Sequence, residues 1–355
     1  MSKIAVLTSG GDSPGMNTAV AAIARCAQLY DMPLIGIDRG FKGLLGKNPE
    51  KDFVHLTLEN ALDMADQAGT RLHTARCKEF EQLEVQQNAA KILRDMDVSG
   101  LIVIGGNGSF MGAHALVKQG INCIGIPGTI DNDLAYTEMT LGFDTAVNVC
   151  VEAVRSIRAT SRSHDRPHVV EVMGRHCGDI ALMTAAATGA ELVIAPEADT
   201  WTVEEKAQAL QRQIDKGNYR STIVVAEGCW EKMQKFDLYK YLKEKNPAAH
   251  VHEDDKMDAH FFAKVLNHMC VMPDGSTPEP RATVLGYTQR GARPTARDAK
   301  FAFEAGIMAV NLLHHGQSDR AIGMRQGKIF HEDINVALAA KRPFDRQLYN
   351  MINAL

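Results

Sequence analysis

The sequence predicts an α/β protein with two interleaved, doubly wound domains whose sheets are mainly parallel. Short runs rich in Val and Ile alternate with runs of helical periodicity, in an order without hairpin signals. A chain of 355 residues that is 45% hydrophobic can bury two cores, so two sheets are expected. No low-complexity linker separates two halves, which indicates that the domains exchange segments.

Composition excludes several classes of function. The formal charge of -4 gives no basic field, so nucleic acid is not expected as a partner. No apolar run reaches the length of a bilayer span and the N-terminus lacks a signal-peptide pattern, so we expect no membrane association and a cytoplasmic protein. The seven cysteines lack CxxC spacing, which favours free thiols over a disulfide or zinc framework.

The N-terminal segment predicts a strand, a glycine loop and a helix. The strand covers Lys3 to Thr8, the loop covers Ser9 to Gly15, and the helix covers Met16 to Leu29. Amide groups of such a loop and of the following helix N-terminus can bind a phosphate. The loop is not a Walker A motif, and a tight turn without a ligand is the alternative interpretation.

The same device recurs further along the chain. The predicted elements before it are strands at 33–38 and 52–56, a basic loop at 69–78 and a helix at about 86–96. A strong strand, Gly100 to Ile104, then leads into a second glycine loop, Gly105 to Ser109, and a helix from Phe110 to Lys118. Arg71 and Arg76 of the basic loop can contact phosphates, although exposed arginines are often only solvated.

An acidic loop follows the next predicted strand, Ile121 to Ile126. It reads Pro127-Gly128-Thr129-Ile130-Asp131-Asn132-Asp133. In an extended segment alternate side chains share a face, so Asp131 and Asp133 would converge while Asn132 points away. Capping of the next helix is the alternative role for these carboxylates. Ligands of open α/β sheets bind at the carboxyl ends of strands, which favours a site here.

The second half of the chain continues the alternation of strands and helices. Predicted helices cover 144–161, 180–187, 203–216 and 295–313, and predicted strands cover 169–173, 192–195, 221–226 and 282–287. The segment from Cys229 to about Met257 breaks the rhythm and is interpreted as a surface insertion. Its histidines and acids suggest a metal cluster as the alternative, but without a known ligand spacing.

These features together indicate phosphoryl transfer to a small anionic acceptor. The reaction needs positioning and charge neutralisation more than covalent chemistry. Glycine loops and arginines supply the charge neutralisation, one Asp can accept the proton of the attacking hydroxyl, and the other can hold Mg2+.

The motifs resemble those of the 6-phosphofructokinase family in order and over nearly the whole chain. They are Ser9-Gly10-Gly11-Asp12, Gly105-Gly106-x-Gly108-Ser109, the acidic loop, Met173-Gly174-Arg175 and Gly286-x-x-Gln289-Arg290-Gly291. The resemblance implies a phosphofructokinase-like fold that transfers the γ-phosphate of ATP to fructose 6-phosphate with Mg2+. It also implies a homotetramer with active sites shared between subunits. We expect a nucleotide-binding domain at 1–141 plus about 289–340, and a sugar-phosphate domain at 142–288 plus about 341–355, with the insertion at about 229–257.

The resemblance also implies roles for individual residues. Asp131 would be the general base, and Thr129 and Arg175 would stabilise the transferring phosphoryl group. The nucleotide would be lined by Gly11, Arg76, Cys77, Gly106, Asn107, Gly108 and Ser109, and the metal would be held by Asn107 and Asp133. The sugar phosphate would be bound by Asp133, Met173, Gly174, Glu227, Tyr287 and Arg290, with Arg166 and Arg281 reaching in from a neighbouring subunit.

The sequence departs from the family pattern at several of these positions. Asn107 replaces an Asp that is a magnesium ligand in the family, Tyr287 replaces a His, and Ala292 replaces a Gly. The effector site keeps Arg25, Arg158 and Glu191, whereas Ala21 and Asn218 replace basic residues. Members that use pyrophosphate have Asp and Lys where this chain has Gly108 and Gly128, so ATP is expected as the donor.

These departures raise a second hypothesis, a catalytically weakened paralogue that binds sugar phosphate or nucleotide as a regulatory subunit. The retention of Asp131, Asp133, Thr129 and Arg175 favours catalysis, because a relaxed site has no reason to keep that set.

Overall fold

The computed structural model describes residues 3–47, 49–198, 202–233, 238–245, 256–341 and 343–354. The chain divides into two compact units, one of Met1–Ala146 with Arg290–Arg342 and one of Val147–Gln289 with Pro343–Leu355. Each unit is assembled from separate chain segments and is built of α-helices and mostly parallel strands. The predicted fold class is therefore confirmed.

The first unit contains one sheet of seven strands, flanked by helices. Its strands are β1 Lys3–Ser9, β2 Leu34–Ile37, β3 Phe53–Leu56, β4 Val98–Gly105, β5 Asn122–Pro127, β10 Arg320–Arg325 and β11 Lys328–Asp333, and its helices are α1 Met16–Leu29, α2 Pro49–Asp52, α3 Leu58–Leu62, α4 Leu83–Asp95, α5 Asn107–Lys118, α12 Ala296–His314 and α13 Ile334–Ala339. The strand order is β11-β10-β5-β4-β1-β2-β3. Only the edge strands β3 and β11 run antiparallel to their neighbours.

The three strands β5, β4 and β1 lie next to one another in this sheet, and their carboxyl ends are level. Ser9 pairs with Gly105, and Gly105 pairs with Pro127. Their apolar side chains are buried because helices cover the sheet, which explains why these strands are continuous hydrophobic runs in the sequence. This register brings the loops that follow the three strands to one edge.

The second unit contains a four-stranded parallel sheet. Its strands are β6 His168–Val172, β7 Leu192–Ile194, β8 Thr222–Ala226 and β9 Arg281–Val284, and its helices are α6 Phe143–His164, whose first turn belongs to the first unit, α7 Asp179–Thr188, α8 Val203–Asp215, α9 Cys229–Met233, α10 Leu238–Lys245, α11 Ala259–Met269 and α14 Arg346–Asn353. The order is β7-β8-β6-β9. Val172 pairs with Ala226, so the loops after β6 and β8 leave the sheet at the same level.

Some local predictions were wrong. The chain forms an antiparallel hairpin from β10 and β11, whose turn residues Gln326 and Gly327 both have positive φ. Helix α5 begins at Asn107, so three of the five residues of the predicted second glycine loop are helical. Tyr287 lies in a short 3-10 helix, Gly286–Arg290, and not in a strand.

Two further predictions, the insertion and the absence of a membrane span, can be compared only with the described residues. Helices α9 and α10 lie within the predicted insertion. Residues 234–237 and 246–255 of that segment lie outside the described residues, and with them the residues of the alternative metal cluster, His250, His252 and 253–255. Within the described part of the chain, no helix combines the length and apolar character needed to cross a bilayer.

Candidate active site

The two glycine loops and the acidic loop of the first unit lie side by side at the carboxyl edge of its sheet. The amide of Gly128 donates a hydrogen bond to the carbonyl of Gly105 at 3.0 Å. A Cβ built on Gly106 would lie 3.7 Å from Cβ of Thr129, and one on Gly10 would lie 3.7 Å from Oγ of Ser109. The three loops therefore form one continuous surface.

The first glycine loop packs tightly against Arg290. Nη1 of Arg290 donates to the carbonyl oxygen of Asp12 at 2.9 Å, and its guanidinium occupies the space that a Cβ on Gly11 would need. Gly10 has φ of 93°, a left-handed value that favours glycine. The loop thus carries a partly buried cation beside exposed backbone, which is an arrangement suited to an anion.

The second glycine loop forms the N-terminus of α5. Gly106 is the N-cap and supplies no side chain to the first turn, so the positive end of the helix is open to a ligand. Ser109 is buried, Asn107 is half-buried and Gly108 is exposed. A Cβ on Gly108 would have no atom within 4 Å, so this turn faces open space.

The acidic loop is not extended, so the geometric reason we gave for the convergence of Asp131 and Asp133 was wrong. Asn132 has φ of 55°, and its buried side chain accepts a hydrogen bond from the amide of Thr140 at 3.1 Å. The buried side chain of Asn132 therefore stabilises the bend in the loop. Asp131 is half-buried and Asp133 is exposed.

The acidic loop has an internal hydrogen bond at Asp131 and a side-chain contact with the second glycine loop. The amide of Asp131 donates to Oγ1 of Thr129 at 3.2 Å. Nδ2 of Asn107 donates to Oδ2 of Asp133 at 3.3 Å. The two residues that the resemblance assigns to the metal are thus adjacent.

The donor set at this point fits Mg2+ better than a metal that needs a full protein cage. Among the described residues, no group of three or more His, Cys, Asp or Glu side chains could hold a metal ion. Mg2+ typically takes one or two protein oxygens and completes its shell with water and substrate phosphates. Asp133 and the carboxamide oxygen of Asn107 can supply those two.

The basic loop is tied to the first glycine loop. Oγ1 of Thr74 donates to the carbonyl of Gly10 at 3.0 Å, and Oγ1 of Thr8 donates to the carbonyl of His73 at 2.6 Å. Arg76 is exposed, and Cys77 is half-buried, with burial raising the pKa of its thiol. Arg71 is also exposed, and its amide donates to Oδ1 of Asn17 at 2.8 Å.

Sequence reasoning missed Asp298 of α12, which holds the start of α6. Its buried carboxylate accepts hydrogen bonds from the amides of Gly142 at 2.9 Å and Thr145 at 2.7 Å. Burial raises the pKa of this carboxyl, while its hydrogen bonds to the residues around Thr145 oppose the rise. Because 153 residues separate Asp298 from Thr145, no local pattern could have shown the contact.

In the second unit, the loops after β6 and β8 pack closely together. Met173 is buried, and its amide donates to Oε1 of Gln289 at 3.1 Å. The amide of Gly228 donates to the carbonyl of Gly174 at 3.2 Å, and a Cβ on Gly228 would collide with the carbonyl of Arg175. Gly174 has φ of 131°. This packing fixes the backbone of Met173, Gly174 and Arg175, and Glu227 lies exposed beside it.

Three predicted site arginines of the second unit form ion pairs with carboxylates at the surface. Arg175 pairs with Glu231 at 3.0 Å. Arg166 and Arg281 share Glu279, at 3.0 Å and 3.8 Å. Such exposed pairs contribute little to stability and exchange readily for another anion.

Tyr287 is 82% exposed and could reach a ligand only from the surface.

The predicted effector residues of the second unit form one cluster around Glu191. Its carboxylate accepts from Arg158 at 2.8 Å and 3.2 Å, from Nδ2 of Asn218 at 3.3 Å and from the amide of Thr222 at 2.7 Å. Ala21 and Arg25 lie on α1 of the first unit, where the guanidinium of Arg25 is 5.9 Å from the ring centroid of Phe303.

The fold and these loops define an α/β protein built to bind phosphate groups beside a pair of carboxylates. A sequence model of the family described as phosphofructokinase matches residues 3–313. The chain belongs to the phosphofructokinase family. The ATP-dependent 6-phosphofructokinase of Clostridioides difficile is 43% identical over 355 residues, which cover 100% of this chain and 99% of that protein.

Two further relatives show the same relationship. The ATP-dependent 6-phosphofructokinase 1 of Clostridium perfringens is 41% identical, again over 100% of this chain and 99% of that protein. The solved structure of phosphofructokinase from Saccharomyces cerevisiae aligns with a TM-score of 0.78 at 31% identity, covering 95% of this chain. This chain spans 45% of that yeast chain.

Proposed function

We propose that this protein transfers the γ-phosphate of ATP to the 1-hydroxyl of fructose 6-phosphate and so makes fructose 1,6-bisphosphate in glycolysis. The observation that carries the proposal is the convergence of two glycine loops and the acidic loop at the carboxyl edge of one sheet. The full-length bacterial relatives, each named an ATP-dependent 6-phosphofructokinase, support the same reaction.

The first unit is the proposed nucleotide-binding domain. Its ligand surface would be formed by the backbone of Gly11, Gly106 and Gly108, by Ser109 and Asn107 of the first turn of α5, and by Arg76 and Cys77 of the basic loop. The open space at Gly108 leaves room for a nucleoside. The positive end of α5 would compensate the charge of the ATP phosphates.

Mg2+ would be held between the phosphates and the adjacent Asn107 and Asp133. When bound, the ion supplies charge neutralisation for the transferring phosphoryl group. Asp133 carries the full negative charge of this pair, because the carboxamide of Asn107 is neutral. Nδ2 of Asn107 donates to Oδ2 of Asp133 at 3.3 Å, so the two side chains that would hold the ion lie next to each other.

Asp131 is the proposed general base. It would accept the proton of the attacking 1-hydroxyl, a step that comes late in phosphoryl transfer and needs little basicity. Thr129, whose hydroxyl accepts from the amide of Asp131, would contact the transferring group. Arg175 would stabilise its equatorial oxygens with a charged fork.

The second unit is the proposed sugar-phosphate domain, with Met173, Gly174, Glu227 and Tyr287 as ligand contacts. Arg290, which packs on the first glycine loop, would also hold the sugar phosphate.

Arg166 and Arg281 would serve the active site of a neighbouring subunit in a homotetramer. Their shared partner Glu279 keeps the two guanidinium groups together at the surface. We place the enzyme in the cytoplasm, with weak allosteric control.

The regulatory-paralogue hypothesis is not favoured, because the catalytic set is complete and full-length relatives are named as enzymes. The test is a coupled assay of the purified protein with ATP, Mg2+ and fructose 6-phosphate, with sedoheptulose 7-phosphate as a comparison. We expect fructose 1,6-bisphosphate as the product. Binding of fructose 6-phosphate without turnover would favour the regulatory role and contradict the proposal.

A further inference from the structure

Gln289 lies entirely within the second unit, between two segments that are proposed to bind the sugar phosphate. Its side chain has 0% exposure. Its Oε1 accepts from the amide of Met173 at 3.1 Å, and its Nε2 donates to the carbonyl of Gly286 at 3.0 Å. One carboxamide thus joins the end of β6 to the turn that carries Tyr287.

Both ends of this carboxamide have complementary partners. Oε1 faces two donors, the amide of Met173 and the thiol of Cys150 at 3.1 Å, while Nε2 faces a carbonyl. The reversed orientation would place the NH2 group against those donors and the oxygen against the carbonyl. The environment therefore allows one orientation only, which makes Gln289 a rigid link.

Cys150 completes this arrangement from α6. The thiol is buried and burial raises its pKa to about 12, so it remains protonated and able to donate at physiological pH. No part of Cys150 belongs to either sugar-phosphate segment. Its thiol donates to Oε1 of Gln289, and 139 residues separate the two in the chain.

We propose that Gln289, held by Cys150, is a positioning residue that fixes the backbone of Met173 and the Gly286–Gln289 turn for fructose 6-phosphate binding. The inference rests on the proposed function and assigns Gln289 no contact with the reacting atoms. Loss of the carboxamide removes the hydrogen bond that the amide of Met173 donates to Gln289 and so loosens this loop. The loss should weaken binding of fructose 6-phosphate and leave binding of ATP unchanged.

The main experiment compares Gln289→Met with Gln213→Met. Both changes replace a buried glutamine of the second unit by an apolar side chain of similar length. Gln289→Met should raise KM for fructose 6-phosphate by about tenfold, the equivalent of about 1.4 kcal/mol, and leave KM for ATP unchanged. Gln213→Met should leave both KM values unchanged, and melting temperatures of the two variants show whether each still folds.

A second pair of variants tests the link through Cys150 without altering the turn. Cys150→Ala removes the donor to Gln289, and we expect KM for fructose 6-phosphate to rise about threefold, a smaller effect because the other two hydrogen bonds remain. Cys150→Ser keeps an O–H donor and should restore most of the affinity. A purely structural role would lower the melting temperature in both variants without this difference in KM.

The outcomes separate the inference from the proposed function. The inference alone would be overturned if the unaltered enzyme is active and Gln289→Met has the same KM for fructose 6-phosphate as the unaltered enzyme. Equal KM values for fructose 6-phosphate in Cys150→Ala and Cys150→Ser would also overturn it. An unaltered protein that neither binds fructose 6-phosphate by calorimetry nor turns it over would overturn the proposed function, and the inference with it.

Discussion

The two units differ in how their proposed ligand surfaces are built. In the first unit, the surface is mostly backbone: three adjacent strand ends meet, and their loops are joined by main-chain hydrogen bonds such as that from Gly128 to Gly105. In the second unit, the loop backbone is also packed, but the charged groups are exposed side chains such as Arg175, each paired with a carboxylate. The first proposed surface is preorganised, whereas the second would have to exchange partners on binding.

This difference suits the two proposed ligands. Backbone amides and a helix N-terminus cannot rotate away, so they can hold a polyphosphate chain without reorganising. Arginines on exposed ion pairs can leave one anion for another at low cost, because solvent screens such pairs. We therefore expect substitutions in the first unit, which would bind ATP, to act through geometry. Substitutions in the second unit, which would bind the sugar phosphate, should act through charge.

Asp131→Ser should produce the largest effect. Removal of the proposed base should lower kcat by about 1,000-fold, within the range that general-base catalysis contributes. Binding of fructose 6-phosphate, measured by calorimetry, should remain because Asp131 is assigned to proton transfer and not to binding of the sugar phosphate. A kcat within tenfold of the unaltered enzyme would mean that another group accepts the proton.

Arg175→Ala tests the charged surface of the second unit. We expect kcat to fall by about 100-fold, as when one charge-stabilising donor is removed from a transition state. The matched control is Arg220→Ala, which breaks another exposed ion pair of the same unit, with Asp165 at 3.5 Å, and should leave kcat unchanged. Equal losses in both variants would show that surface charge in general, and not Arg175, matters.

Glu231→Gln tests the same ion pair by changing the carboxylate that Arg175 contacts. Since the Arg175–Glu231 pair is exposed, its loss should change kcat by no more than about twofold. A large loss of activity in steady-state assays would indicate that Glu231 holds Arg175 in its working position.

Asn107→Asp should have an intermediate effect on the first unit. A second carboxylate beside Asp133, at the present 3.3 Å contact, would repel it until Mg2+ binds between them. The Mg2+ concentration for half-maximal rate should fall, and turnover should rise about tenfold, or about 1.4 kcal/mol of barrier. Unchanged magnesium dependence in a titration would contradict the metal role of Asn107.

Effectors should have the smallest influence. The carboxylate of Glu191 is already engaged by Arg158, Asn218 and Thr222, and two basic residues of the family site are replaced. Each missing charged hydrogen bond to an effector phosphate removes about 1.5 to 3 kcal/mol, enough to cancel a typical coupling energy. Saturation curves for fructose 6-phosphate with and without a nucleoside diphosphate or phosphoenolpyruvate should therefore nearly overlay; a several-fold shift would refute this.

Local patterns in the sequence predicted much of the fold. Helix α1 has the predicted bounds, Met16–Leu29, because a glycine loop precedes its regular apolar spacing. The β10–β11 hairpin was missed because its turn, Gln326-Gly327, is not one of the common hairpin dipeptides. The bend at Asn132 was missed because a left-handed asparagine leaves no mark in hydrophobic periodicity.

The supports of the candidate site could not be predicted in this way. Asp298 and Gln289 act on residues more than 100 positions away, as the separations of 153 and 116 show. Each is a polar residue within an ordinary helix or turn sequence. Only the folded backbone reveals that their side-chain oxygens accept hydrogen bonds from these distant backbone amides.

The identity of the phosphoryl donor tests the account most directly, because the first unit is interpreted as a backbone surface with room for a nucleotide. Gly108 faces open space, and a Cβ on Gly128 would lie only 3.0 Å from side-chain atoms of Ile104 and Met16. Initial rates with ATP and with pyrophosphate should be compared at saturating fructose 6-phosphate and matched Mg2+. The account predicts faster turnover with ATP, and faster turnover with pyrophosphate would contradict it.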